Sequence, residues 1–187
     1  MNLFRILFLL SPTILMQAAI ADEPRARATA AELVQALGAA LKKEMAEGGA
    51  AAAIGVCREL APKLAGELSR KTGGKVSRVS LRLRNPLLGQ ADAWEQEMLL
   101  SFDKRSAAGE TADKLEISET VIEPSGRYFR YMKALQVQPL CLACHGEASS
   151  LAETVKNRLA QDYPHDRATG YALGQIRGAV SIKWPAE

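Results

Sequence analysis

The chain has 187 residues, which is enough for one domain with a substantial core. Hydrophobic residues make up 48% and charged residues 24%, the composition of an ordinary globular protein. The net charge of +3 is small and the basic residues are scattered, so we expect no nucleic-acid partner.

The N-terminal residues have the pattern of a secretory signal. Arg5 supplies a short positive region, residues 6–16 are almost wholly apolar, and Ala19-Ile20-Ala21 is a small-residue cleavage site. We therefore predict a signal peptide over residues 1–21 and a mature periplasmic domain over residues 22–187. An uncleaved N-terminal anchor is the alternative. No other stretch is long and apolar enough to cross a membrane, so we expect no membrane span in the mature chain.

Helical periodicity dominates the first third of the predicted domain. Leucines at every fourth position predict a helix over residues 28–48. Apolar residues spaced three and four apart predict a second helix over residues 50–70, with Cys57 on its apolar face. Pro62 should kink this helix, because proline has no N–H to donate to the carbonyl of Arg58.

Strand patterns follow later in the chain. Alternation of apolar and polar residues predicts strands over residues 79–83, 115–123, 127–137 and 176–184. Two more helices are expected, one capped by Asp92 with Glu95 and one through residues 151–159. There is no regular βαβ alternation, which favours an α+β fold with an antiparallel sheet.

The most specific motif is Cys141-Leu142-Ala143-Cys144-His145. Two thiols at this spacing can add to the two vinyl groups of one haem, and the adjacent histidine then reaches the iron. We predict one haem c per chain, attached covalently at Cys141 and Cys144, with His145 as an axial iron ligand. Zinc would need a second ligand pair, and a thioredoxin-like site would need a βαβ setting. A plain disulfide would leave His145 incidental.

The second axial ligand is less clearly marked. Cys57 is the favoured candidate, because the small residues around it would let a flat porphyrin approach the helix and thiolate is a strong haem ligand. An inert buried thiol is the alternative. Met45, Met98 and Met132 are interpreted as packing residues, and His165 as an exposed turn residue.

The haem propionates could pair with basic residues near the predicted strands. The candidates are Arg82, Arg84, Arg127 and Arg130. Each of them could equally lie on a solvated strand face.

These residues occur within a longer pattern that resembles a known family, the single-haem c-type sensor domains with a PAS-like fold. The matching stretches are residues 53–57 (AIGVC), 61–62 (AP), 80–86 (SLRLRNP), 94–95 (WE), 129–132 (FRYM), 141–146 (CLACHG), 163–164 (YP) with Asp166, 168–171 (ATGY) and 177–179 (RGA). The resemblance implies a PAS-like α+β fold whose antiparallel sheet is packed against N-terminal helices. It also implies that His145 and Cys57 form the axial pair.

Three functions are then open. The first is a periplasmic haem sensor that responds to redox state or to a gas, with Cys57 as the ligand released. Because the chain ends at Glu187 without an output module, such a sensor would act through a separate, unidentified partner. The second is an electron-transfer cytochrome c. The third is a small peroxidase, which would need an open distal site with catalytic histidine or arginine residues. The chain has only two histidines, so we expect no enzyme activity and no catalytic residues.

Overall fold

The computed structural model describes the backbone of residues 13–186 and the side chains of residues 22–186. Residues 1–12 of the predicted signal peptide lie outside this description, and only the backbone of its residues 13–21 is included. Among the helices that are described, none is both long and apolar enough to span a bilayer.

The described chain is an α+β fold built on one antiparallel sheet, as predicted. Its strands are β1 (Lys75–Val79), β2 (Glu116–Glu123), β3 (Gly126–Gln136) and β4 (Ile176–Pro185), in the spatial order β1-β4-β3-β2. Its α-helices are α1 (Thr13–Glu47), α2 (Gly49–Gly55), α3 (Ala61–Thr72), α4 (Pro86–Gly89), α5 (Ala93–Ala107), α6 (Leu142–His145) and α7 (Glu153–Asp162). A π-helical turn, Val56–Leu60, joins α2 to α3.

The sheet is covered on both faces. Because successive strand residues point to opposite sides, Tyr131 and Met132 of β3 belong to different cores. Tyr131 packs in the core beneath α1 and α3, whose other members include Leu33, Leu68, Val76, Val180 and Trp184. Met132 packs in the core beneath α5, whose other members include Val79, Leu99, Phe102 and Ala179. The predicted packing of N-terminal helices on the sheet is therefore confirmed.

The two N-terminal helices differ from the prediction in detail. α1 begins at Thr13 and not near residue 28, although it ends close to the predicted residue. The helix predicted over residues 50–70 is divided by the π-helical turn, in which the Ala61 N–H donates to the carbonyl of Val56. Pro62 explains the division, because its missing N–H removes the next α-helical bond. Cys57 lies inside this widened turn.

The first predicted strand is wrong in position. β1 covers Lys75–Val79, and residues 81–85 form no strand. Ser80 ends the strand: its hydroxyl donates to the carbonyl oxygen of Arg177 at 2.8 Å. The alternation of apolar and polar residues after Ser80 has another cause. Arg82 and Arg84 form hydrogen bonds with residues 166–170, a segment distant in the sequence. The strands β2, β3 and β4 and the helices α5 and α7 lie within a few residues of their predicted positions. Asp92 and Glu95 form the predicted capping box of α5.

Candidate haem site

The two cysteines of the C-x-x-C-H motif lie on consecutive short helical segments. A 3-10 turn, Pro139–Cys141, leads directly into α6, so Cys141 and Cys144 are three residues apart on helical backbone and share one side of it. Both are half-buried and neither forms a disulfide. The Cys144 sulfur contacts α2, with its Sγ 3.8 Å from the carbonyl oxygen of Ala50. Burial raises the pKa of the Cys144 thiol.

His145 is held by one ring nitrogen. Its Nδ1 lies 2.7 Å from the carbonyl oxygen of Ala168 and 3.2 Å from Nε of Arg177. The two contacts require opposite protonation of Nδ1. A carbonyl can only accept, and its contact is the shorter, so we place the proton on Nδ1 and leave Nε2 with a free lone pair. Burial, reinforced by Arg177 and Arg84, holds the pKa of His145 well below its usual range, so the imidazole is neutral.

The carbonyl that holds His145 is itself fixed by a buried ion pair. Arg84 and Asp166 are 3.0 Å apart, with side chains only 8% and 11% exposed. Asp166 accepts a hydrogen bond from the Ala168 N–H at 2.8 Å, and Arg84 donates to the carbonyl oxygen of Cys144. The pair therefore ties the cysteine–histidine helix to the segment that orients the histidine.

Cys57 and His145 line the same cleft, which has a volume of about 260 Å³. Ala61, Pro62 and Ala65 form the wall of this cleft beside Cys57. Residues of β1 and of the segment 83–89 also line it. The two predicted axial ligands are thus brought together from elements almost ninety residues apart in the sequence, whereas Cys141 and Cys144 are not among the described residues that line this cleft.

The other predicted ligands lie elsewhere. Met132 is fully buried between β3 and α5, and Met98 packs against the same core. Among the described residues that line the cleft there is no methionine, so Met45 is not part of its wall either. His165 is exposed in the turn that precedes Asp166.

The predicted propionate partners are engaged with other groups or lie far from the cleft. Arg84 is committed to Asp166, and Arg82 donates to backbone carbonyls of residues 167–170. Arg130 is buried in ion pairs with Asp92, Glu95 and Glu123. Arg127 is exposed next to the β2–β3 turn.

Arg84 lines the cleft but is paired with Asp166, and sequence reasoning missed two further arginines that line it, Arg78 and Arg177. Arg78 was overlooked because the first strand was predicted to begin one residue after it. Arg177 lies in one of the matched stretches, and that match was the only signal that could have indicated it.

The fold and the site define an α+β domain in which a cysteine on a π-helical turn and a motif histidine share one cleft. The model of the Tll0287-like family matches residues 14–185, and the chain belongs to this family. The family resemblance inferred from the sequence is therefore confirmed. Among solved structures, the chain is similar to the "cyanobacterial heme-protein Tll0287", with a TM-score of 0.64 and 24% sequence identity over 88% of this chain and 98% of that one. This similarity shows a common fold. The comparison with curated proteins returned no match.

Proposed function

We propose that the protein is a periplasmic, single-haem c-type cytochrome domain that acts as a redox- or gas-responsive sensor. The haem is attached covalently through Cys141 and Cys144, and its iron is ligated by His145 and Cys57. The observation that carries this proposal is the shared cleft, which holds one imidazole and one thiol from different elements.

The residues present fit a haem. A neutral imidazole with Nδ1 held by a backbone carbonyl and Nε2 free is the usual form of a metal-ligating histidine. Two unbridged thiols one helical turn apart suit two thioether bonds. The small side chains of Ala61 and Ala65 beside Cys57 would let a flat macrocycle approach the helix closely. A similar structure is that of a protein described as a heme-protein. When bound, the haem would supply a redox-active iron.

Export is part of the same proposal, and α1 is compatible with it. Pro24 lies inside α1, where a proline leaves the carbonyl four residues earlier without its usual donor. Cleavage after Ala21 would place Pro24 in the first turn of the helix, where N–H groups have no partner in any case. Intact-mass measurement of periplasmic protein should give a chain that begins at Asp22. A full-length chain in the membrane fraction would contradict this.

The sensor role is supported by the position of Cys57 in the π-helical turn. Thiolate stabilises ferric iron more than ferrous iron, so reduction of a bound haem would weaken a bond from Cys57. The turn already lacks a backbone hydrogen bond at Pro62, so a rearrangement there would break one backbone bond fewer than in a regular helix. Loss of the sulfur ligand would then open an iron position to a gas. A thiolate that stayed bound in the ferrous state would favour the electron-carrier function instead.

Covalent attachment is tested by denaturing electrophoresis followed by haem staining. We expect a stained band for the wild-type protein and none for a Cys141→Ala, Cys144→Ala double variant. Haem that is extracted from the wild-type protein by acidified organic solvent would contradict the proposal.

Ligation by Cys57 is tested with Cys57→Ala, using His165→Ala as a matched control. Cys57→Ala should retain the covalent haem, lose the thiolate signature of the ferric spectrum and raise the reduction potential, because a neutral or absent ligand stabilises ferric iron less. Carbon monoxide should bind its ferrous form faster. The control should behave like the wild type. An unaltered ferric spectrum in Cys57→Ala, together with a disturbed one in His165→Ala, would make the ligand assignment wrong.

A further inference from the structure

Arg78 is a charged residue of the cleft without a recognised role. It lies on β1, is half-buried and lines the cleft with Cys57 and His145. Within the described part of the chain, its side chain makes neither an ion pair nor a hydrogen bond. A guanidinium that lines a cleft without an acidic partner is suited to bind an anionic group that enters the cleft.

The strand register directs Arg78 to the side of the sheet that carries α3. Arg78 pairs with Val180 and is two residues after Val76, and both valines belong to the core beneath α1 and α3. Side chains two residues apart on a strand, or directly opposite on a neighbouring strand, share one face. This is the face on which Ala61 and Ala65 of α3 form the cleft wall.

The cleft has more positive than negative charge. Arg78, Arg84 and Arg177 all line it, and Asp166 neutralises Arg84. Arg177 is hydrogen-bonded to neutral groups, the hydroxyl of Ser80 at 2.7 Å and the carbonyl of Arg82 at 3.2 Å. Two guanidinium groups are thus without an anionic partner in the described structure.

We propose that Arg78 binds a propionate carboxylate of the haem and positions that edge of the macrocycle. This inference rests on the proposed function. The propionates of a haem lie at the edge opposite its vinyl groups, so attachment at Cys141 and Cys144 directs them away from α6. Arg78 belongs to the part of the cleft wall that β1 and α4 build. A guanidinium is well suited to a carboxylate, because its donors match the two oxygens.

The test compares Arg78→Gln with Arg127→Gln in the haem-loaded protein. Arg127 is exposed, so both variants lose one positive charge but only the first changes the cleft. We expect a lower reduction potential for Arg78→Gln than for the control, because the cation disfavours the additional positive charge of ferric iron. The pH-dependent part of its potential should move to higher pH, because the propionate loses the cation that favours its ionised form. Arg78→Lys should restore most of both properties.

Identical potentials and pH profiles for Arg78→Gln and Arg127→Gln would overturn the proposal. A second arm adds inorganic phosphate in excess. Phosphate should not shift the reduction potential of the wild-type protein. A shift that Arg78→Gln abolishes would show that Arg78 binds a free anion, and this result would also overturn the proposal that Arg78 binds a propionate. Failure of the proposed function can be distinguished from failure of the role of Arg78, because covalent haem would then be missing from the wild-type protein. A normal haem spectrum of the wild-type protein, together with an unchanged pH dependence of the reduction potential in Arg78→Gln, would overturn the role of Arg78 alone.

Discussion

The buried ion pair between Arg84 and Asp166 makes a quantitative prediction. Asp166→Asn keeps the shape of the side chain and the acceptor for the Ala168 N–H but removes the negative charge. Removing one partner of a buried pair costs about 3–5 kcal/mol. Arg84 would keep its backbone acceptors, the carbonyls of Cys144 and Ala168, so we expect the lower end of this range, about 3 kcal/mol. That corresponds to a roughly 100-fold smaller folding equilibrium constant.

Urea unfolding of the haem-loaded protein, followed by far-ultraviolet circular dichroism, measures this cost. The matched control is Glu32→Gln, which removes the pair between Glu32 and Lys71, whose side chains are 52% and 64% exposed. An exposed pair contributes at most about 1 kcal/mol, so the control should be nearly neutral. Arg84→Met combined with Asp166→Asn should cost less than the sum of the two single changes, because no lone charge remains buried. Equal losses of unfolding free energy in Asp166→Asn and Glu32→Gln would show that the buried pair contributes no more than an exposed one, contrary to this prediction.

Further predictions concern backbone packing and pH. Gly178→Ala should destabilise the protein by about 1–3 kcal/mol, because the added Cβ would clash with the Val79 carbonyl oxygen. Gly38→Ala, in open space within α1, should stabilise the protein by about 0.5–1 kcal/mol in the same unfolding assay. A Gly178→Ala variant more stable than Gly38→Ala would contradict the packing around these two glycines. Burial of Glu116 acts to raise its pKa, but hydrogen bonds from Arg27 and Tyr131 outweigh burial and hold the pKa below 4.5. The ionised carboxylate therefore stabilises the fold at neutral pH, and this contribution is lost as the pH falls through the lowered pKa. Glu116→Gln should be less stable than the wild type by about 1–2 kcal/mol at pH 7 and by progressively less below about pH 4.5, and a constant difference would disprove the coupling.

The parts of the structure that could be predicted from sequence are those that depend on local pattern. The cysteine–histidine motif lies on two consecutive short helical segments, so its positions relative to one another follow from their spacing in the sequence. Residues of β3 and β4 pack into the two cores on opposite faces of the sheet, and Ile117 of β2 packs against the core beneath α5. The cap of α5 follows from Asp92 and Glu95, three residues apart.

The parts that could not be predicted depend on contacts between distant segments. The alternation after Val79 indicated a strand, but Arg82 and Arg84 are oriented by residues more than eighty positions later. Pro62 indicated a break in its helix without showing that the backbone would widen into a π-helical turn around Cys57. Arg78 gave no signal of its own, since its place in the cleft depends on the pairing of β1 with β4.

Ligation of the haem iron by His145 and Cys57 is read out by the absorption and electron paramagnetic resonance spectra of the purified wild-type protein in both redox states. We expect a low-spin ferric haem with a histidine–thiolate signature. We expect the ferrous haem to bind carbon monoxide once the sulfur ligand is released. A ferric spectrum typical of histidine–methionine or histidine–histidine ligation would contradict the assignment of Cys57 and the sensor function built on it.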